Sequence, residues 1–275
     1  MVKLICLDLD GTLLNSNLEI SKANREAIEQ ARSKGIKVAL ATGRMYASAL
    51  AYAKELDIDV PIITMNGALI KHPVTEVKIT DLVIPQYYLE EVICILAADD
   101  IRPNFYNEFT LFVGESPQRY QRMLANAAFD SRYEFKIIDE AYTYQDVIRE
   151  AGATIHKGIL FPEPAMMEEV RKRLKQIGDL SIVSSSPFNI EITHGQANKG
   201  NAIKALGKDL GISVNDMMAI GDSENDRSML DVAGHPIIMG NANSTVKAGK
   251  GIITLDNNND GVALAIRKYA LGDIC

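Results

Sequence analysis

The chain has 275 residues, of which 29 are basic and 36 acidic, giving a formal net charge of −7. Apolar residues make up 47% and charged residues 24%, a balance that excludes a disordered chain, a collagen-like chain and a small disulfide scaffold. The acidic excess and the lack of a polybasic run argue against a protein that grips nucleic acid through its phosphates.

Residues 3–9 are a short apolar run ending in acids and read as a buried strand. Ser21 can cap a helix in which Ala23, Ala27, Ile28 and Ala31 share one face, and Gly35 stops it. A strand at 36–41, a helix at 45–56 rich in Ala and Leu, and a strand at 61–65 follow. This order predicts a parallel sheet with helices on its faces. The pattern changes near residue 67, where His72-Pro73 suggests a turn between short β segments at 68–71 and 77–81. Leu89, Val92, Ile93 and Leu96 line a helix face. Residues 104–107 and 110–113 read as a hairpin, 117–128 as a helix, 154–161 as a strand and 165–177 as a charged amphipathic helix. Residues 180–185 and 189–193 read as a strand pair. From Lys199 the alternation resumes, with helices at 201–210, 225–232 and 261–271 and strands at 217–221, 236–239 and 252–255. The expected fold is α/β. Residues 1–82 and 191–275 form a Rossmann-like parallel-sheet core, and 83–190 form an inserted α+β cap.

The three cysteines, Cys6, Cys94 and Cys275, are far apart and odd in number, which argues against a zinc site or a disulfide framework. The opening MVKLICLDLDG turns acidic too early for a signal-peptide core, and no apolar window is long enough to span a bilayer. The economical reading is a cytoplasmic protein, with no membrane or nucleic-acid partner and an oligomeric state that the sequence leaves open.

Four motifs fall where strands end, and ligands of open parallel sheets bind beyond those ends. Asp8-Leu9-Asp10-Gly11-Thr12 follows the first strand, and Gly11 lets the chain turn so that both carboxylates approach one point. Ala41-Thr42-Gly43-Arg44 offers a hydroxyl and free N–H groups at a helix start, suited to a phosphate oxygen. Asn198-Lys199-Gly200 puts a cation at a helix start, where acids are the usual choice. Gly221-Asp222-Ser223-Glu224-Asn225-Asp226 brings further acids. Asp222 facing Asp8 and Asp10 would build an all-oxygen site of the kind that suits Mg2+. Each motif alone also reads as a capping turn or a solvated side chain, and their joint order is what points to a site. Neither G-x-x-x-x-G-K-[ST] nor G-x-G-x-x-G is present, nor are H-E-x-x-H and G-x-S-x-G.

DLDGTLL, ATGR, NKG and GDSEND resemble the four motifs of the haloacid dehalogenase (HAD) superfamily of phosphohydrolases, in the right order. The long insert and Met65-Asn66-Gly67-Ala68 resemble the Cof-like subgroup with its C2-type cap. The resemblance implies hydrolysis of small-molecule phosphate monoesters through an aspartyl-phosphate, with Mg2+ as cofactor. Sugar phosphates lead that substrate class, and flavin or pyridoxal phosphates fall within it. By resemblance Asp8 is the nucleophile and a metal ligand. Asp10 is the general acid/base and, through its carbonyl, a second ligand. Asp222 is the third ligand. Leu9 and Gly43, through their backbone, and Thr42, Lys199 and Asn225 hold the phosphate, and Asp226 stands behind them. Asp8 favours the neutral form of Asp10 and the metal the charged form, and the sequence does not decide between them. The same intermediate could instead pass its phosphoryl group to a sugar hydroxyl, as in a phosphotransferase or mutase. A non-enzymatic phosphoaspartate receiver is the reading from a different class.

Two linkers, at 83–85 and 186–189 with Pro85 and Pro187, tie the insert to the core and favour hinge motion. Candidate readers of the leaving group are Arg102, Asn104, Tyr106, His156 and Lys157 from the insert and Arg44 and Asn66 from the core.

Overall fold

The computed structural model describes residues 1–114 and 130–273; the helix expected at 117–128 and Cys275 lie outside them. Strand β1 (Leu4–Leu7) is buried throughout, as expected of an apolar run covered on both sheet faces. Ser21 accepts from the Asn24 N–H and starts the helix Lys22–Ser33. Asn24, rather than Ala23, completes its buried face with Ala27, Ile28 and Ala31. The chain leaves this helix through Gly35 at φ 80°, a left-handed conformation that a side chain would strain. Strand β2 (Lys37–Leu40) pairs parallel to β1. After the helix Tyr46–Glu55, β3 (Ile62–Thr64) joins the parallel sheet through the bridge Ala41–Ile63. It then turns into antiparallel β4 (Leu69–Lys71) and β5 (Lys78–Asp81).

The insert opens with the helix Gln86–Ala97. Its strands are β6 (Asn104–Tyr106), β7 (Thr110–Val113), β8 (Glu134–Ile137), β9 (Lys157–Leu160), β10 (Leu180–Val183) and β11 (Ile190–His194). They form one six-stranded sheet in the order β10-β11-β9-β6-β7-β8. β8 and the helix Tyr144–Ala151 are additions to the expected elements. The helix opens on a capping box between Thr143 and Asp146, a start signal carried by the sequence itself. One face of this sheet, with Phe105, Phe112, Leu160 and Ile192, packs on the insert's helices in a core of its own. The boundary expected after residue 190 falls inside β11, which pairs with β9 and β10.

The helix Lys199–Leu210, capped by Asn198, returns the chain to the first sheet. There β12 (Met217–Gly221), β13 (His235–Ile238) and β14 (Ile252–Ile253) complete the parallel order β14-β13-β12-β1-β2. The helix expected from 225 begins as a 3-10 turn, Glu224–Asp226, before Arg227–Val232. Leu4, Ile5, Leu7 and Ile220 are fully buried in this sheet. Cutting any one of them to alanine costs about 2–5 kcal/mol. Because β1, β2 and β12 run parallel, their carboxyl ends share one edge. Leu7 stands opposite both Leu40 and Ile220, so residues 8–10, 42–44 and 221–226 leave the sheet side by side. Among the described residues no helix is long and apolar enough to cross a membrane.

Candidate active site

Asp8 is the first residue beyond β1, and its N–H donates to the Ile220 carbonyl at 3.1 Å. The side chain is buried. Asp8 Oδ1 accepts from Lys199 Nζ at 2.7 Å, and Lys199 is itself fully buried and donates to Asp226 Oδ1 at 2.5 Å. The other Asp226 oxygen takes the N–H groups of Asp222 and Ser223, each at 2.9 Å. Lys199 therefore occupies the first turn of its helix because two buried carboxylates oppose it, which offsets the helix dipole. Burial pushes the Asp8 carboxyl well above its ordinary range. Lys199 pulls it down, while Asp226, Asp222 and Asp10 add to the rise.

Asp222 accepts from Thr12 Oγ1 at 2.9 Å and from Ser223 Oγ at 3.0 Å. Burial and the charge of Asp226 push its carboxyl up to about 6. A side chain at position 11 would put its Cβ 2.6 Å from Asp222 Oδ2, and Gly11 adopts φ 78°. Glycine is required there on both counts. Oxygens of Asp8, Asp222 and Asp226 lie within 4.8 Å of one another and could hold a metal ion. An all-carboxylate donor set with one acid pushed towards its neutral form is the environment a hard divalent cation relieves.

Asp10 points elsewhere. Its carboxylate meets Arg44 in a fork, Nε to Oδ2 at 2.7 Å and Nη2 to Oδ1 at 2.6 Å. The close walls of the site would raise its pKa, but the hydrogen bonds and charge of Arg44 outweigh them and hold it below the ordinary range. Arg44 is the partner of Asp10 that the motif spacing alone does not reveal. Arg44 also donates to Ser48 Oγ at 3.1 Å, and its N–H donates to Thr42 Oγ1 at 3.1 Å.

A second network crosses from the core to the cap. Asn66, at φ 58°, accepts from Asn225 Nδ2 at 3.0 Å and donates to Glu191 Oε2 at 2.6 Å. Glu191 Oε1 accepts from Ser185 Oγ at 2.7 Å and pairs with Lys157 Nζ at 3.0 Å. Lys157 also donates to the Gly43 carbonyl at 2.7 Å. A cavity of about 430 Å³ between sheet edge and cap is lined by Asp8, Asp10, Gly43, Arg44, Lys157 and Asn225 among others, with Asn66 behind Asn225 and Glu191 and not in the lining.

The core candidates are thus brought together. Thr42 is buried beside the cavity and Leu9 has a buried side chain, so only its backbone can face the site. Of the cap candidates, Tyr106 and Lys157 line the cavity, and three lie elsewhere. His156 points to the opposite face of its strand, where its Nε2 meets Asp81 at 2.6 Å. Arg102 donates to the Ile138 carbonyl at 2.7 Å on a separate hollow with Asp99 and Asp139. Asn104 is buried and accepts from the Gly114 N–H at 2.9 Å. Glu191, Ser185, Asn189, Ile159 and Phe161 line the cavity without having been singled out. A carboxylate inside the apolar run of β11 was the available signal for Glu191.

The family model described as haloacid dehalogenase-like hydrolase matches residues 5–266. The chain belongs to the haloacid dehalogenase-like hydrolases. It is 32% identical to phosphatase YwpJ of Bacillus subtilis, over 95% of this chain and 98% of that one. It is also 32% identical to the 5-amino-6-(5-phospho-D-ribitylamino)uracil phosphatase YwtE of the same organism, over 98% and 99%. A solved HAD subclass IIB sugar phosphatase matches with a TM-score of 0.83 and 25% identity, over 98% of this chain and all of that one. Family and fold make the chain a HAD-like enzyme of the phosphatase class.

Proposed function

We propose that the protein hydrolyses phosphate monoesters of small metabolites through a phosphorylated Asp8, with Mg2+ as its cofactor. The observation that carries this reading is the fully buried Lys199 holding Asp8 at the floor of a cavity that Asp10 and Gly43 also line. A buried cation beside a buried carboxylate lets that carboxylate meet a dianionic ester, which would otherwise repel it. Asp8 Oδ attacks phosphorus, the P–O bond to the alcohol breaks, and the carboxyl phosphate formed is then opened by water. Lys199 offsets charge on Asp8 and on the phosphoryl group throughout. Thr42 keeps its own hydroxyl proton for a phosphoryl oxygen, since its Oγ1 is the acceptor from Arg44 N–H. Asn225 Nδ2 and the N–H groups of Leu9 and Gly43 supply further donors. Asp10 gives a proton to the departing alkoxide and recovers one from the attacking water, which requires Arg44 to release its fork during turnover. Asp8 and Asp222, with the Asp10 carbonyl, would hold the metal. When bound it supplies Lewis-acid neutralisation of the phosphoryl oxygens. Asp226 has both oxygens engaged and fits a buttress for Lys199 better than a ligand.

Of the relatives named above, YwtE is a phosphatase of a phosphoribitylamino-uracil and the solved structure is a sugar phosphatase, and both kinds of ester fall within the proposed class. The test is phosphate release from a panel of sugar, nucleotide, flavin and pyridoxal phosphates with Mg2+ and with EDTA. Release should require Mg2+ and vanish in a folded Asp8→Asn protein. Near-normal release from that variant refutes the mechanism.

A further inference from the structure

We propose that the cavity is built for a leaving group that carries a flat apolar ring, so that phosphomonoesters of ring-bearing alcohols are preferred over those of fully hydroxylated sugars. The inference rests on the phosphatase reading and concerns the half of the cavity away from Asp8.

The cap sheet turns one face towards the core, and pairing fixes what that face presents. Tyr106 stands opposite both Leu111 and Lys157, and Ile159 stands opposite Glu191. Side chains two apart on a strand share a face, so Lys157 and Ile159 look the same way, and Phe161, just beyond the end of β9, lines the same cavity. The roof is therefore graded. Charge sits over β9 and β11, and apolar surface sits over β6, β7 and the end of β9. Met45 from the core forms the opposing wall. Met45 and Leu111 are buried, and both belong to a cluster with Ala47 and Val113, flanked by Tyr106 and Phe161. Packed hydrocarbon thus lies behind the apolar end, and Ser48, whose hydroxyl accepts from Arg44, lines the cavity on the side of Met45.

A sugar hydroxyl placed between Met45, Leu111, Ile159 and Phe161 would leave water and meet carbon. Leaving a polar group unpaired in this way weakens transition-state binding by about tenfold to a hundredfold. A ring in the same place loses nothing, and gains from burial and from edge or offset packing on Tyr106 and Phe161. Polar substituents have a place on the other bank, where Ser185, Ser186, Asn189 and Glu191 line the cavity. The volume of about 430 Å³ holds a phosphoryl group and one ring system of modest size.

The test compares kcat/KM, with Mg2+, for benzyl phosphate and pyridoxal 5′-phosphate against glucose 6-phosphate and ribose 5-phosphate. All four are esters of primary alcohols, so intrinsic reactivity does not sort them. The ring esters should lead by about tenfold or more. In Phe161→Ser the ratio of ring-ester to sugar-ester kcat/KM should fall by about tenfold, from the lost apolar burial. Should that variant fail to fold, Phe161→Leu should lower the ratio by a few-fold through lost ring packing. Preference for the sugar esters, or an unchanged ratio in both variants, overturns the inference and leaves the phosphatase reading standing. Failure of the unmodified protein on all four esters overturns the inference, and failure on the nucleotide and flavin phosphates as well overturns the phosphatase reading with it.

Discussion

Replacing Glu191 with alanine should destabilise the protein by about 3 kcal/mol, because it strands Lys157. Both side chains are almost fully buried, at 3% and 6% exposure, with Nζ 3.0 Å from Oε1. Without the carboxylate, Lys157 keeps the Gly43 carbonyl at 2.7 Å, a neutral acceptor that does not balance the charge. Asn66 and Ser185 lose an acceptor as well. Glu191→Ala/Lys157→Met removes both charges and should recover about 2 kcal/mol of the sum of the single changes. The assay is urea unfolding of the four proteins, with slopes compared to confirm a common transition. The effect has a defined pH dependence. Burial alone would raise the Glu191 carboxyl, but the charge of Lys157 and the bonds from Ser185, Asn66 and Lys157 hold it below its ordinary range. Its contribution is therefore fully present above the unfolded value of about 4.3. It is lost as pH falls through the lower folded value. The gap between native protein and Glu191→Ala should be constant from neutral pH down to about 5 and narrow below 4. Single variants that add independently, or a gap that widens in acid, would refute the reasoning.

Gly43→Ala should lower kcat/KM by about a hundredfold through misplacement at the reacting end. Its Cβ would sit 2.8 Å from Asn66 Oδ1 and 3.4 Å from both Lys157 Nζ and Asn225 Nδ2, so the whole network must shift. Activity within threefold of the native protein would show that it yields freely. His156→Ala should leave the ranking of substrates unchanged while costing about 1–3 kcal/mol of stability, because its ring meets Asp81 away from the cavity. A reordered substrate ranking would return His156 to the list of readers.

The parts of the site that lie close together in sequence were legible in it. Asp8 and Asp10, or Asp222 and Asp226, sit at the end of one strand, and a parallel sheet leaves them no choice of edge. Pairings set by register between distant strands were not. His156 and Lys157 are adjacent in sequence, yet one meets Asp81 and the other the cavity, because successive side chains of a strand face opposite ways. The run 154–161 has apolar residues at both parities, so it could not say which face was which. Glu191 meets Lys157 only because β11 lies beside β9, an arrangement that no local pattern encodes. The Arg44 fork on Asp10 likewise depends on the spacing of β1 and β2 and on a rotamer.

The distribution of charge around Asp8 leads to a last prediction. Lys199 answers Asp8 and Asp226, and Arg44 answers Asp10. Asp222 is met by the hydroxyls of Thr12 and Ser223, and its carboxyl is pushed up to about 6. A desolvated acid without a cation of its own opposes folding, so Asp222→Asn should not destabilise the metal-free protein and should raise its melting temperature slightly. Mg2+ at about a hundred times its Kd should stabilise the native protein by about 2.7 kcal/mol, a shift of several degrees for a chain of this size. Asp222→Asn should abolish that shift. If Mg2+ raises the melting temperature of both proteins equally, the ion binds elsewhere. If the variant is several degrees less stable without metal, Asp222 is a structural acid and its hydroxyl partners suffice.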